Sequence, residues 1–444
     1  MKFLVIGGDA AGMSAASRAK RNMDDLDVTV LEETSDVSYS ACGMPYNIAD
    51  PERNIEDLVV RKAEVFREKQ NINLITGSRA EAIDPEARTV RAVDGAGNTT
   101  TYSYDRLLIA TGARPIMPDI EGIDLDGVMP LKRLSDGRRI RQYLSGHDVR
   151  KAVLVGMGYI GLEMAESLRQ RGIQVTGVTR GFMADWDEEI AGMVRQVLAD
   201  HDVELYPDHE AGKIEPDGSG FRVHCGGYSC DADMVLMGVG VRPNSEIASE
   251  AGLELGPKDS VSVDRRMETS IPGIFAAGDC ADAYHVVTGE KVWIPLALLA
   301  NRAGWAVADN VTGKNIEIQG ITGSAVFKVF ELEVARTGLS VQEATTAGFD
   351  PVSVTIEAPS RAHAHPGASP IRVHMVGDRK SGLLLGVQMV GREGVAHRIK
   401  APSVALHARM TVDDFSQTDM AYAPPFSPVW DPMLTAANQL LKKL

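Results

Sequence analysis

Cysteine is scarce in this chain, with four residues among 444. That is too few for a disulfide framework, and in a reducing compartment any thiol stays free unless it is catalytic. Long apolar runs are missing too. No segment approaches the roughly 20 residues of a membrane span, and "MKFLVIGG" runs straight into a glycine turn without a signal-peptide cleavage pattern, so the expected compartment is the cytoplasm. Basic residues are outnumbered, 46 Lys and Arg against 61 Asp and Glu, for a formal charge of -15. Nucleic acid and anionic membrane are thereby disfavoured as partners, and an anionic substrate would need a local basic pocket. Low-complexity segments and short repeats are also absent.

What the chain does have is length and ordinary globular composition, with 44% hydrophobic and 24% charged residues. Two or three domains are expected at this size. Residues 2 to 7, "KFLVIG", end in glycines and continue into "AAGMSAASRAKRN", whose small, helix-favouring residues predict a helix before "DVTVLEE" returns as a strand. The same punctuation recurs over residues 151 to 181, "KAVLVGMGYIGLEMAESLRQRGIQVTGVTRG". Apolar strands ending in glycine recur at "YDRLLIATGARP", which stops at Thr111 and Gly112, at "ADMVLMGVGVRPN", and at "GIFAAGDCAD", which runs into Gly278 and Asp279. From about Gly323 alternating apolar segments such as "SAVFKVFELEVARTG" indicate a separate α/β unit. The reading is therefore α/β, with two Rossmann-like dinucleotide-binding domains and a C-terminal α/β domain.

The first glycine turn reads Gly7-Gly8-Asp9-Ala10-Ala11-Gly12. Small residues there let the backbone approach a pyrophosphate, which sits on the free N–H groups of the following helix. Glu32, 20 residues beyond Gly12, stands where a carboxylate accepts hydrogen bonds from a ribose. The second turn, Gly156-Met157-Gly158-Tyr159-Ile160-Gly161, is the full G-x-G-x-x-G. Aligning "DVTVLEE" with "QVTGVTR" puts Thr179 in the place of Glu32, followed by Arg180. A neutral residue beside an arginine removes repulsion for a 2'-phosphate, so NADPH is expected as well as NADH. Cys42 stands alone in "VSYSACGMPY", at what reads as the start of a helix, where the helix field would favour a thiolate. With no second cysteine near it, the resolving sulfur must come from the substrate or oxidant. Cys225 and Cys230, in an apparent hairpin away from any glycine turn, read as incidental. Two nucleotide units and one isolated cysteine suggest a flavin that takes hydride from a nicotinamide and passes electrons to sulfur.

Through "GGDAAG", "SYSACGMPY", "LLIATGARP", "GMGYIGLEMAE", "GVGVRPN", "GIFAAGDCAD", "PLALLANRAG" and "YAPPFSPVWDP" the chain resembles, over nearly its whole length, the single-cysteine branch of the pyridine nucleotide-disulfide oxidoreductases. That branch includes coenzyme A disulfide reductases, NADH oxidases, NADH peroxidases and persulfide reductases. The resemblance implies an FAD-binding domain in two parts, residues 1–114 and 244–322, an NAD(P)-binding domain, 115–243, and a dimerisation domain, 323–444. By the same resemblance Gly7, Gly8, Ala11, Gly12, Glu32, Thr111, Gly112, Gly278, Asp279 and Ala297 would hold FAD. Gly156, Gly158, Ile160, Gly161, Glu163 and Arg180 would hold the nicotinamide nucleotide, and Tyr159 would cover the flavin until the nicotinamide displaces it. Cys42 would be the redox-active cysteine beside the flavin, cycling through a mixed disulfide, as with coenzyme A, or a sulfenic acid. Ser14, Arg18, Arg21, Ser38 and Lys69 match the positions that hold coenzyme A, and Arg18 and Arg21, three apart, would share a helix face suited to phosphate. Tyr422 of "YAPP" would reach the active site of a second subunit and protonate a leaving thiolate.

Departures from the pattern narrow the activity. Oxygen- and peroxide-reducing members carry a histidine in the first turn, where this chain has Ala10. The asparagine often found before the cysteine is Ala41, and "RAHAHPGA" replaces a pair of tyrosines, bringing His363 and His365, for which no third metal ligand is evident. The expectation is a homodimeric FAD enzyme using NADH or NADPH to reduce a low-molecular-weight disulfide, coenzyme A disulfide first, with persulfide or polysulfide reduction and NAD(P)H oxidation as alternatives. A flavin-based redox-sensing binding protein is the alternative of another class.

Overall fold

The computed structural model describes residues 1–444. Its first sheet is parallel and five-stranded, in the order Ile274–Ala276, Arg106–Ile109, Lys2–Ile6, Asp27–Glu32, Asn73–Thr76. All four central residues of "FLVI" are buried, as a strand covered on both faces requires. Helix Ala10–Asn22 packs along helix Ala297–Val311, and small residues make that approach possible: a Cβ on Gly304 would lie 2.3 Å from the carbonyl oxygen of Ala11. Because the strand Ile274–Ala276 closes this sheet, the first nucleotide unit is assembled from two distant parts of the chain.

The second sheet repeats the plan, ordered Val203–Pro207, Gln174–Thr179, Lys151–Val155, Met234–Met237, Val128–Pro130, again parallel. The chain leaves the first unit along Ala113–Pro115 and returns along Val241–Pro243, and these two short strands pair antiparallel. Each parallel sheet carries a three-stranded antiparallel meander, Ser78–Asp84 to Thr99–Ser103 on the first and Lys213–Asp217 to Tyr228–Ala232 on the second. Beyond them a five-stranded antiparallel sheet runs Ala325–Val329, Leu332–Gly338, Leu384–Gly391, Pro370–Asp378, Pro351–Pro359. The last helix, Pro432–Leu441, buries Met433, Ala436, Ala437 and Leu440 in this third core. No helix is long and apolar enough to cross a membrane.

Candidate active site

The two glycine turns are built alike, and for the same steric reason. Gly7 has φ 108° and Gly156 φ 99°, a region that side chains rarely adopt. A Cβ on Gly12 would lie 1.9 Å from the Gly7 carbonyl oxygen and one on Gly161 2.2 Å from that of Gly156, so each helix starts tight against its own turn. Gly8 donates its N–H to Glu32 Oε2 at 2.7 Å, while Glu32 Oε1 accepts from Thr34. These residues open onto a cleft of about 640 Å³, bounded on its far side by Thr111, Gly112, Gly278 and Asp279. Ala300, rather than Ala297, lines it. Ala297 is exposed in the first turn of its helix. A cleft of this size, lined by a turn of glycine and alanine around Asp9 and by the Glu32 carboxylate, fits FAD.

Two groups in the cleft carried no signal in the sequence. Lys132, just before helix Leu134–Gly146 of the second unit, reaches across to Asp279 at 2.7 Å. Their separation of 147 residues has no spacing rule. Asp9, at the N-terminus of helix Ala10–Asn22, is pushed up to about 6 by burial, with the carboxylates of Glu32 and Asp279 adding and Lys132 opposing.

Cys42 lies in a single 3-10 turn, Ala41–Gly43, followed by the six-residue helix Met44–Ala49, and its thiol is exposed. The expected thiolate-favouring helix field is not what governs it. Surrounding protein pushes the thiol above its ordinary pKa and the carboxylates of Glu163 and Asp279 push it further, against the charge of Lys132 and a backbone hydrogen bond. A helix of barely two turns has too little dipole to outweigh that. Glu163 is itself raised by burial and accepts a hydrogen bond from the Tyr46 hydroxyl at 2.8 Å. Tyr46 is four residues past Cys42, a helical spacing that would have pointed to it. The other thiols are buried: Cys280 turns to the carbonyl of Ile109, and Cys225 and Cys230 lie in the far meander.

In the second turn, Gly158, Tyr159 and Ile160 are exposed and Glu163 is half-buried one turn on. The Tyr159 ring lies 4.7 Å from that of Phe327 in the third domain, tilted by 32°. Thr179 closes its strand as Glu32 closes the first, and Arg180 beyond it is 75% exposed. The sequence had not flagged Glu210, whose carboxylate lies 3.7 Å from the Arg180 guanidinium.

The five positions expected to hold coenzyme A do not form one basic patch. Arg18 donates to both oxygens of Asp309, at 2.8 and 2.7 Å, and lies over the Trp305 ring, so most of its fork is occupied and Asp309 is held well below the usual carboxylate range. Arg21 is exposed in the last helical turn. Ser14 donates to Asn301 at 2.6 Å, Ser38 has φ 50°, and Lys69 is exposed on helix Ala63–Gln70. At the other end of the chain Arg398 donates to Asp431 and to the Phe426 carbonyl, pinning a loop that leaves Tyr422, Phe426 and Trp430 exposed.

Residues 1–304 match the family described as pyridine nucleotide-disulphide oxidoreductase. The chain belongs to that family. Residues 324–433 match the family's dimerisation domain. Among relatives, the NAD(P)H coenzyme A polysulfide/persulfide reductase of Pyrococcus horikoshii is 37% identical over 99% of this chain and 98% of its own length. The coenzyme A disulfide reductase of Staphylococcus haemolyticus is 30% identical over 96% of each. A solved NAD-dependent persulfide reductase from A. fulgidus superimposes with a TM-score of 0.96 at 36% identity, covering 100% of this chain and 83% of that one. This family member is therefore an FAD-dependent NAD(P)H oxidoreductase, with two Rossmann-type domains and a C-terminal dimerisation domain.

Proposed function

We infer that the enzyme uses NAD(P)H to cleave the sulfur–sulfur bond of a small coenzyme A-derived substrate, coenzyme A disulfide first and the persulfide second, through Cys42. The observation that carries this reading is the isolation of one exposed thiol beside Tyr46 and Glu163 while the other three cysteines are buried. Relatives named for coenzyme A disulfide and for coenzyme A persulfide support the substrate class.

FAD in the cleft supplies two-electron transfer between a nicotinamide and sulfur. The residues do the rest. Cys42, as thiolate, attacks one sulfur of the substrate, forms a mixed disulfide and expels the other sulfur as a thiolate. Tyr422 of a second subunit protonates that leaving group, which requires a homodimer. Two electrons originating at NAD(P)H then break the mixed disulfide, freeing the second thiol and restoring Cys42. Desolvation and then Glu163 raise Cys42 against the pull of Lys132, so the thiol stays protonated until a bound substrate tips that balance. Gly158 and Ile160 flank the nicotinamide nucleotide, with Arg180 at its 2'-position. Ser14, Arg18, Arg21, Ser38 and Lys69 serve the coenzyme A nucleotide, Arg18 through the part of its fork that Asp309 leaves free.

Steady-state rates with coenzyme A disulfide, coenzyme A persulfide and oxygen, measured side by side, test the reading. Both sulfur acceptors should outpace oxygen, and Cys42→Ser should lose both while its flavin is still bleached by NAD(P)H. Wild-type sulfur rates in Cys42→Ser would end the proposal, and an oxygen rate above both would make the enzyme an oxidase.

A further inference from the structure

The hairpin of strands Gly220–Cys225 and Tyr228–Ala232 turns at Gly226 and Gly227, both with positive φ. In its register Val223 faces Cys230 and Cys225 faces Tyr228. Side chains alternate along a strand, so Cys225 and Cys230 are diagonal neighbours on one face. That face packs into the core formed with Val128, Val153 and Val178. Each thiol is the leading influence on the other's proton, and Cys225 points to the Val223 carbonyl at 3.8 Å. Neither cysteine has a part in the chemistry assigned to Cys42.

The hairpin also touches the end of the strand that selects the nucleotide. The ring of Tyr228, opposite Cys225, lies 5.0 Å from His209 and 5.5 Å from Tyr206. Tyr206 pairs with Val178 in the sheet, and His209 donates its backbone N–H to the Thr179 carbonyl at 3.0 Å. Tyr228 thus lies between the cysteine pair and the residues that hold Thr179, next to Arg180.

We propose that Cys225 and Cys230 are a second redox site, a dithiol that a low-molecular-weight disulfide closes into a hairpin disulfide, and that closure is felt as weaker nicotinamide-nucleotide binding at Thr179 and Arg180. The second part rests on the assignment of that strand end to the nucleotide. Sharing of the proton lowers the thiol pKa of Cys230 and raises that of Cys225, which makes Cys230 the attacking thiolate. It forms a mixed disulfide with one sulfur of the oxidant and expels the other as a thiolate. Cys225 then attacks the Cys230 sulfur, forms the internal bond and expels the second thiolate, and the two released thiolates take up the two cysteine protons. One disulfide is thus reduced to two thiols as two cysteines are oxidised. Tyr228–Ala232 is an edge strand, paired on one side only, and the two glycines at its start let the tip lift for attack. The final bond, about 2 Å long, is shorter than any non-bonded contact between two sulfurs, so closure draws the strands together at this point.

The test uses FAD-loaded wild type and Cys42→Ser, reduced, freed of reductant and treated with hydroxyethyl disulfide. After acid quenching, alkylation and digestion, the peptide carrying both cysteines should have lost two hydrogens and taken no alkyl group, in both proteins. Calorimetric binding of NAD+ and NADP+ should weaken several-fold on oxidation, recover with dithiothreitol, and not respond to the oxidant in Cys230→Ser, which lacks the attacking thiolate. Alkylation of both cysteines after excess disulfide, or a mixed disulfide that persists at Cys230, would overturn the site. A disulfide that forms without changing either dissociation constant would overturn its coupling to the nucleotide. A failure of the reduced protein to bind either nucleotide would instead count against the reading of Thr179 and Arg180.

Discussion

Desolvation by the surrounding protein raises the Cys42 thiol, and two opposed charges act on it as well, Glu163 raising it and Lys132 lowering it. The sign of each substitution follows. Glu163→Gln removes a negative charge that disfavours the thiolate, so the thiol pKa should fall, and the rate of alkylation by iodoacetamide should reach its plateau at lower pH than in the wild type. Lys132→Met removes the opposing charge and should shift the same profile upward. Lys132 also pairs with Asp279 in the cleft, so if FAD lies there as proposed, Lys132→Met should in addition weaken FAD retention during gel filtration. If Glu163→Gln left the alkylation profile in place, the carboxylate would not be what controls Cys42, and its role would shrink to holding Tyr46.

At the scale of elements, the strand that ends in Thr179 shows what sequence can and cannot say. Its place in a strand–turn–helix–strand unit was legible, because Gly156 and Gly161 meet a steric demand that no residue with a Cβ satisfies. The same held for the first turn. What lay outside the sequence is what the packing of units brings together: Lys132 with Asp279, Tyr46 with Glu163, Arg18 with Asp309, and Glu210 with Arg180. Three of those pairs join different parts of the fold, where no helical or strand period operates. Local rules also overvalued the short helix after Cys42, which has the right position but too few turns to set the thiol. Glu210 sharpens the nucleotide prediction. Arg180→Glu should raise the NADPH KM selectively, by roughly tenfold if one charge-assisted contact of about 1.5 to 3 kcal/mol is lost. Glu210→Gln frees Arg180 and removes a negative charge, and should lower the NADPH KM while leaving that for NADH nearly unchanged. An NADPH/NADH ratio indifferent to both substitutions would mean that the 2'-position is read elsewhere.

The whole molecule makes a further demand, because the residue assigned to protonate the leaving thiolate lies on the third domain. Tyr422 is 47% exposed, in a loop that also exposes Phe426 and Trp430 and that Arg398 holds in place. Deleting residues 421 to 444 would also remove the helix Pro432–Leu441, whose buried face completes the core of that domain, so a point substitution is the informative probe. Tyr422→Phe keeps the ring and removes the proton, and should cut the rate with coenzyme A disulfide by about 10² to 10⁴ if the hydroxyl acts as a general acid. Mixing then tells whose proton it is. Cys42→Ser homodimers lack the nucleophile in both sites, and Tyr422→Phe homodimers lack the acid in both. If each site takes Cys42 from one subunit and Tyr422 from the other, a mixed dimer has one site with both residues and one with neither. Unfolding and refolding equal amounts of the two variants together should therefore restore roughly a quarter of wild-type activity, half of the dimers being mixed and each carrying one working site. Were Tyr422 to act within its own chain, every site of a mixed dimer would lack one residue or the other, and the mixture would be no more active than its separate components.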